Sequence, residues 1–261
     1  SKTATLDVLS GGRVDVGVGR SGNPYQITPF GIQLEDTKGI WEESLSMLPN
    51  ICTQQVYSYQ GKYFNVPERE VIPKPFQKPH PPLWSACSQD DTSQRAGELG
   101  IGCLCNVLGQ YDTVEGRINT YKEAHKNAQR VGKFVNDKVV VSSIGFCDEN
   151  KQRTRERGAE IAAWNINIRL RNYERGWTGV DTKNVPDSYP YHVRRMEWDP
   201  QMRKGVSPEE VLSTGRFCVA TPDECIEVVE NYERIGADEI MPIFQAGPAT
   251  DAEVKNSLRL F

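Results

Sequence analysis

The residues with the clearest chemical potential lie in Leu6–Arg20, LDVLSGGRVDVGVGR. The stretch reads as a helix end, a tight turn at Ser10-Gly11-Gly12, a strand over Val14–Gly19, and an arginine at that strand's C-terminal end. Val14, Val16 and Val18 share one face of the strand, and Gly17 and Gly19 share the other. A strand face bare of side chains lets a flat group approach the backbone closely. Arg20 offers a permanently charged fork of donors that suits a phosphate. The same residues also fit a buried strand with packing glycines and an arginine in a surface ion pair.

Other chemistries find little support. His80, His125 and His192 lie far apart and no HExxH occurs, which argues against zinc or another metal. The seven cysteines include no CxxC, and an odd number in a chain of 261 residues is not a disulfide framework. Cys103 and Cys105 read as buried, inert thiols on one strand face. A net charge of −4 argues against a nucleic-acid partner. No apolar run approaches the ~20 residues of a membrane span. No signal-peptide pattern opens the sequence, so the expectation is a cytoplasmic protein without a membrane partner.

These residues need a scaffold, and the sequence alternates short apolar strands with amphipathic helices throughout. Helical spacing of Ile40, Trp41, Leu45 and Leu48 predicts a helix over 35–50, with Pro49 helping to end it. Aromatic segments around Gln60-Gly61 predict a hairpin within Val56–Val66. Leu83–Cys87 reads as a strand, followed by a helix over 91–99 capped by Gly100. Gly102–Asn106 is a further strand, and a helix with a capping box at Asp112 and Glu115 runs to about Arg130. Lys138–Cys147 is a β-branched strand, and a long helix covers 150–175. Thr221-Pro222-Asp223-Glu224 starts another helix, Ala237–Phe244 is a strand, and a last helix follows Asp251. Residues 176–208 carry Pro186, Pro190, Pro200 and Pro208 with several aromatics, and read as a lid-like insertion. Five strands in parallel βα order fall short of the eight that close a barrel. At roughly 30 residues per βα unit, three units are expected before Ser1.

Several segments together carry a resemblance. Thr5–Arg20, the run Lys78-Pro-His-Pro-Pro-Leu-Trp84 with Ala86, Ser88, Thr92 and Ala96–Gly100, and Tyr59-Gln-Gly-Lys-Tyr-Phe64 resemble the luciferase-like flavin monooxygenases. So do Ala220-Thr-Pro-Asp-Glu and Asn256–Phe261. The likeness covers nearly the whole chain apart from 176–208. It implies an α/β fold, a single-domain (β/α)8 TIM barrel represented over 1–261 by strands 4 to 8, with FMN at its C-terminal mouth. By that resemblance Arg20 binds the FMN phosphate, with Ser88, the amides of Cys87 and Ser88, and the Thr92 hydroxyl completing the cradle beside Ala86. A strand meeting a helix N-terminus is a natural anion site. Ser88 and Thr92 also fit ordinary helix-capping roles. Gly19 would lie beside the flavin ring, and Gly22 could donate an amide to the phosphate.

The family's activity implies reduced FMN supplied by a flavin reductase, and O2 as co-substrate. The substrate would be a small aldehyde, ketone, alkane or similar compound. Tyr189, Tyr191 and Trp198 are candidates for lining the substrate, or for anchoring their own loop. The catalytic acid or base is not visible in this sequence. A homodimer or heterodimer is implied by the family alone. Two alternatives stand beside the monooxygenase: a non-catalytic flavin-binding relative, and a deazaflavin-dependent oxidoreductase on the same scaffold.

Overall fold

A computed structural model of the chain describes residues 2–106, 111–181, 185, 186, 189 and 204–261. Tyr191 and Trp198 lie outside the described residues, as does most of the predicted lid. The chain divides into two compact units. One comprises residues 1–20, 36–106 and 113–140; the other comprises 21–35, 107–112 and 141–261.

The first unit opens with helix α1 (Lys2–Ser10). Gly11 and Gly12, both at positive φ, turn the chain into strand β1 (Val16–Val18). Helix α2 (Thr37–Thr53) follows and contains Pro49 instead of ending there. Pro49 is buried, and the helix continues one turn past it to Thr53. Strands β2 (Val56–Gln60) and β3 (Asn65–Glu70) form the antiparallel hairpin, which runs four residues beyond the predicted end. The loop between them closes on the Glu43 carboxylate, which accepts the backbone N–H groups of Lys62, Tyr63 and Phe64 at 2.7–3.1 Å. A Cβ on Gly61 would meet that carboxylate at 2.7 Å, so glycine is required there.

Strand β4 (Leu83–Cys87) lies parallel to β1, pairing Val16 with Leu83, Gly17 with Trp84 and Val18 with Ser85. Helix α3 (Asp90–Glu98) is closed by Gly100 at φ +63°. Strand β5 (Gly102–Asn106) continues the parallel sheet beside β4. Helix α4 (Tyr111–His125) stops earlier than its sequence predicts. The next segment turns back instead, giving Gln129 N–H to Glu98 O and Val131 N–H to Leu99 O. Those tertiary bonds satisfy the end of α3, which further helix could not do. The approach to β4 is fixed by Asp7, whose buried carboxylate accepts the Gln77 backbone and side-chain N–H groups at 2.9 and 2.8 Å. His80 Nε2 accepts Lys133 N–H at 2.9 Å, which leaves Nδ1 to donate to Pro81 O. Strand β6 (Val139–Cys147) joins the sheet next to β5 and carries the chain into the second unit.

In the second unit a helical turn (Lys151–Arg153) and a π-helical turn (Thr154–Gly158) lead into helix α5 (Ala159–Trp177). The π turn places Gly158 against Phe146 and Val219, where a Cβ would come within 2.9 Å of both. Helix α6 (Pro208–Ser213) precedes β7 (Cys218–Ala220), a short strand parallel to β6 that the sequence did not announce. Helix α7 (Pro222–Arg234) starts at the predicted Thr221 cap with its Glu224 capping box. Strand β8 (Glu239–Ile243) also pairs with β6, and helix α8 (Asp251–Leu260) ends the chain. All seven cysteines are free, with Cys103 and Cys105 Sγ atoms 3.5 Å apart. No described helix is long and apolar enough to cross a membrane.

Glu253 ties the second unit together. It caps α8 through Thr250 and takes Arg157 Nε at 3.0 Å and Arg153 Nη2 at 3.3 Å. The Arg157 guanidinium outweighs the opposing effect of burial and holds the carboxyl down at about 2. A depressed carboxylate contributes stability above its unfolded pKa of about 4.3 and loses it as pH falls toward the folded value. Glu253→Gln is therefore expected to lose about 2–3 kcal/mol at pH 7. It should also flatten the loss of stability between about pH 4.5 and 2, read from urea titrations across that range.

Candidate functional site

The alternation of exposed and covered positions along 11–20 shows that Asp15, Gly17 and Gly19 share the open face of β1. A Cβ on Gly17 would meet nothing within 4 Å, and one on Gly19 would make only an ordinary 3.4 Å contact with Ala86 Cβ. Ala86 is exposed on the same face of β4. Gly17, Gly19 and Ala86 thus form a wall with almost no side-chain relief. Trp84, paired in register with Gly17 of β1 and Gly102 of β5, lays its indole over Gly102 and also meets the Asp15 side chain. A Cβ on Gly102 would sit 2.3 Å from Trp84 Cε3. Glycine at 102 therefore accommodates the indole. This contact was not visible in the sequence, because it depends on strand register.

Parallel pairing also settles where the polar candidates lie. The ladder of β1 and β4, continued two residues, sets Arg20 beside Cys87 with Ser88 next in the chain. Both strands point the same way, so Arg20 and Ser88 occupy the same end of the sheet. That is the C-terminal end, where α/β folds build their sites. Arg20 is half-buried, with its Nη1 wholly covered, and Ser88 is exposed at the junction of β4 and α3. Cys87 is buried, with Sγ 3.3 Å from Ser85 O.

Capping of α3 bears on the two roles that the sequence left open for Ser88 and Thr92. Gln89, not Ser88, is the N-cap. The Thr92 hydroxyl accepts Gln89 N–H at 3.2 Å and donates to Gln89 O at 2.8 Å, so its single proton is already used. Asp90 and Asp91 stand in the first turn, and Asp91 Oδ1 accepts Thr92 N–H. Arg117, nine-tenths buried, faces this end from α4, with Nη1 3.3 Å from Asn106 O and Nε 3.9 Å from Asp90 Oδ1. It offsets an acidic charge that would oppose an anion here. The donor set of Arg20, Ser88 and the α3 N-terminus fits a phosphate monoester, and the Gly17–Gly19–Ala86 wall fits a flat ring system. Thr92 braces the start of α3 through Gln89.

Gly22 belongs to the second unit. There Trp177 Nε1 donates to Gly22 O at 2.9 Å, and Tyr189 donates its hydroxyl to Ser21 O at 3.2 Å. The two rings pack with centroids 5.9 Å apart, and Tyr189 is fully buried. Ser21 is held at φ +63°, a conformation that costs a non-glycine residue roughly 1 kcal/mol. Tyr189 thus anchors a loop at its place in the fold. Thr92→Val removes the capping hydroxyl at constant shape and is expected to cost about 1 kcal/mol in urea unfolding, whereas Thr92→Ser should retain most of it.

Comparison with known proteins gives this geometry a context. The family model described as luciferase-like monooxygenase matches residues 1–239. The uncharacterized protein y4vJ of Sinorhizobium fredii is 30% identical over 169 residues, which is 63% of this chain and 45% of that protein. The alkanal monooxygenase alpha chain of Photobacterium leiognathi is 23% identical over 260 residues, 98% of this chain and 71% of that one. The chain thus spans from under half to about seven-tenths of these relatives' lengths. Among solved structures, the oxygenating constituent of 3,6-diketocamphane monooxygenase from Pseudomonas putida, in complex with FMN, superposes with a TM-score of 0.70 at 18% identity. That match covers 99% of this chain and 71% of that one. An F420-dependent secondary alcohol dehydrogenase superposes at 0.65 with 14% identity, covering 98% and 71%. At these identities the structural likeness establishes an α/β fold of the luciferase-like barrel type. The sequence match over residues 1–239 establishes more: the chain belongs to the luciferase-like monooxygenase family.

Proposed function

We propose that this chain forms the flavin-binding part of an FMN-dependent monooxygenase. The observation that carries the reading is the placement of Arg20 and Ser88 at one end of two paired parallel strands, above a wall of Gly17, Gly19 and Ala86. Arg20 supplies the charge that holds the FMN phosphate, and Ser88 supplies a hydroxyl donor. The glycines admit the ring against the backbone, and Gly102 gives room to the Trp84 indole. Trp177 and Tyr189 hold Ser21 and Gly22, the residues that follow Arg20 in the chain, so the phosphate arginine leads into a fixed loop. Reduced flavin would supply the activation of O2, with a separate reductase as its source and a small organic compound as the molecule oxidised. None of the three histidines is assigned a proton-transfer role, and His80 is engaged by Lys133 and Pro81.

F420-dependent enzymes share the fold, which makes hydride transfer from a deazaflavin the second reading. Anaerobic titrations with reduced FMN and with reduced F420 separate the two. The proposal expects FMN to bind the more tightly and its bound, reduced form to consume O2. Preference for F420 without oxygen consumption would replace it. Arg20→Ala should weaken FMN binding roughly ten- to a hundred-fold, the loss of a charge-assisted bond. Gly17→Val adds its side chain where the protein itself leaves open space. It should leave Tm within about 2 °C of wild type while weakening FMN by at least about ten-fold in the same titration.

A further inference from the structure

On the packed side of the first unit's sheet, at the end away from Arg20, lies a cavity of about 90 Å³. Ala4 of α1, Val16 of β1, Leu48 and Ile51 of α2, and Leu83 of β4 supply its apolar walls. Val16 and Leu83 are partners in the first rung of the β1–β4 ladder, so the cavity abuts the point where that pairing begins. None of its residues belongs to the Gly17–Gly19–Ala86 wall or to the Arg20–Ser88 end, and the flavin reading gives it no role.

The lining is short of free hydrogen-bonding groups. Pro73, Pro75 and Pro81 form the side contributed by the approach to β4, and proline carries no N–H. Carbonyls along the lining are already engaged. Ile51 O accepts Lys74 Nζ at 2.8 Å, Pro75 O accepts Lys78 Nζ at 2.9 Å, and Pro81 O accepts His80 Nδ1 at 2.8 Å. His80 also faces the cavity, and Lys133 N–H occupies its Nε2, so both ring nitrogens are used. Two polar side chains remain. Thr3 is exposed, and the half-buried Cys52 carries a thiol that burial pushes up, so it stays neutral at pH 7.

A void of this size has room for several waters, but a held water needs two to four polar partners. Apolar cavities of this order stay dry and accept molecules such as benzene. Atoms lining an empty void forfeit their dispersion contacts. We propose that this cavity is a binding site for a small, uncharged, hydrocarbon-like molecule of roughly six carbon atoms. Such a ligand regains the lost contacts and removes apolar wall from water. It rests on Val16 and Leu83 together, and so stabilises the rung from which β1 and β4 pair.

Benzene and pyridine test this on the whole chain at neutral pH, where both are uncharged. The rings match in size, but pyridine carries an acceptor that gives up water and gains no donor from this wall. At equal concentration benzene is expected to raise Tm by at least about 1 °C more than pyridine does. Cys52 supplies a local readout, because it alone of the seven free cysteines is not buried. Iodoacetamide should therefore alkylate Cys52 first in the folded protein. Benzene should slow that reaction at least about three-fold, followed by peptide mass spectrometry, and pyridine should not. Ala4→Leu fills the cavity from α1 with another strong helix former. Its Tm without ligand should equal or exceed that of wild type, and both benzene effects should vanish. Benzene that matches pyridine in both wild-type readouts overturns the proposal, whether or not the variant folds. A Tm rise without protection of Cys52 places benzene elsewhere and also overturns it, as do benzene effects undiminished in Ala4→Leu.

Discussion

The proposed flavin site depends on the parallel pairing of β1 and β4. Pairing Gly17 with Trp84 and Val18 with Ser85 fixes which residues face the open side of the sheet and which residues emerge together at its end. A slip of one residue would send Gly17 and Gly19 into the packed face and bring the valines out, because side chains alternate at every step. It would also separate Arg20 from the β4–α3 junction. The register is therefore the device that turns two short strands into one surface with a charged rim and a bare wall.

The rest of the first unit defends that register. β1 has only three residues in ladder pairing, too few to hold itself in place. Asp7 links α1 to Gln77, whose side chain also donates to Val14 O at 2.6 Å, so one residue ties the approaches to both strands. His80 secures the same approach from the other side through Lys133. Beyond β4, Gln89 and Thr92 cap α3, and Arg117 spans from Asn106 O toward Asp90. Apart from the exposed Asp90, these are buried or half-buried polar contacts, and losing one partner strands the other. The flat wall stays simple because the polar work is done around it.

Features set by a few neighbouring residues were legible in the sequence. Gly100 takes the left-handed conformation its position after α3 implies, and Thr221 and Glu224 form the capping box their spacing implies. The βα alternation and the hairpin were visible for the same reason. What escaped depends on distant contacts. Pro49 should end α2 locally, yet it is buried and the helix continues one turn past it. α4 stops early because its continuation is bonded to the end of α3. The three residues of β7 are a strand only because β6 lies beside them. Ser88 and Thr92 fit both phosphate-binding and capping roles in the sequence, and it is Gln89 that takes the cap, with Thr92 bonded to it. The indole of Trp84 over Gly102 becomes visible only once strand register is known. Tyr191 and Trp198 fall outside the described residues, so the lid they were expected to form rests on sequence alone.

The central claim is that the paired ends of β1 and β4 grip an anionic phosphate, and the phosphate itself is the variable to remove. Affinities of the wild-type protein for reduced FMN and reduced riboflavin, measured anaerobically at one ionic strength, isolate its contribution. A charged fork with a hydroxyl partner at this end predicts FMN binding tighter by roughly ten- to a thousand-fold. Equal affinity for the two would show that the strand ends do not hold the phosphate, and would contradict the account.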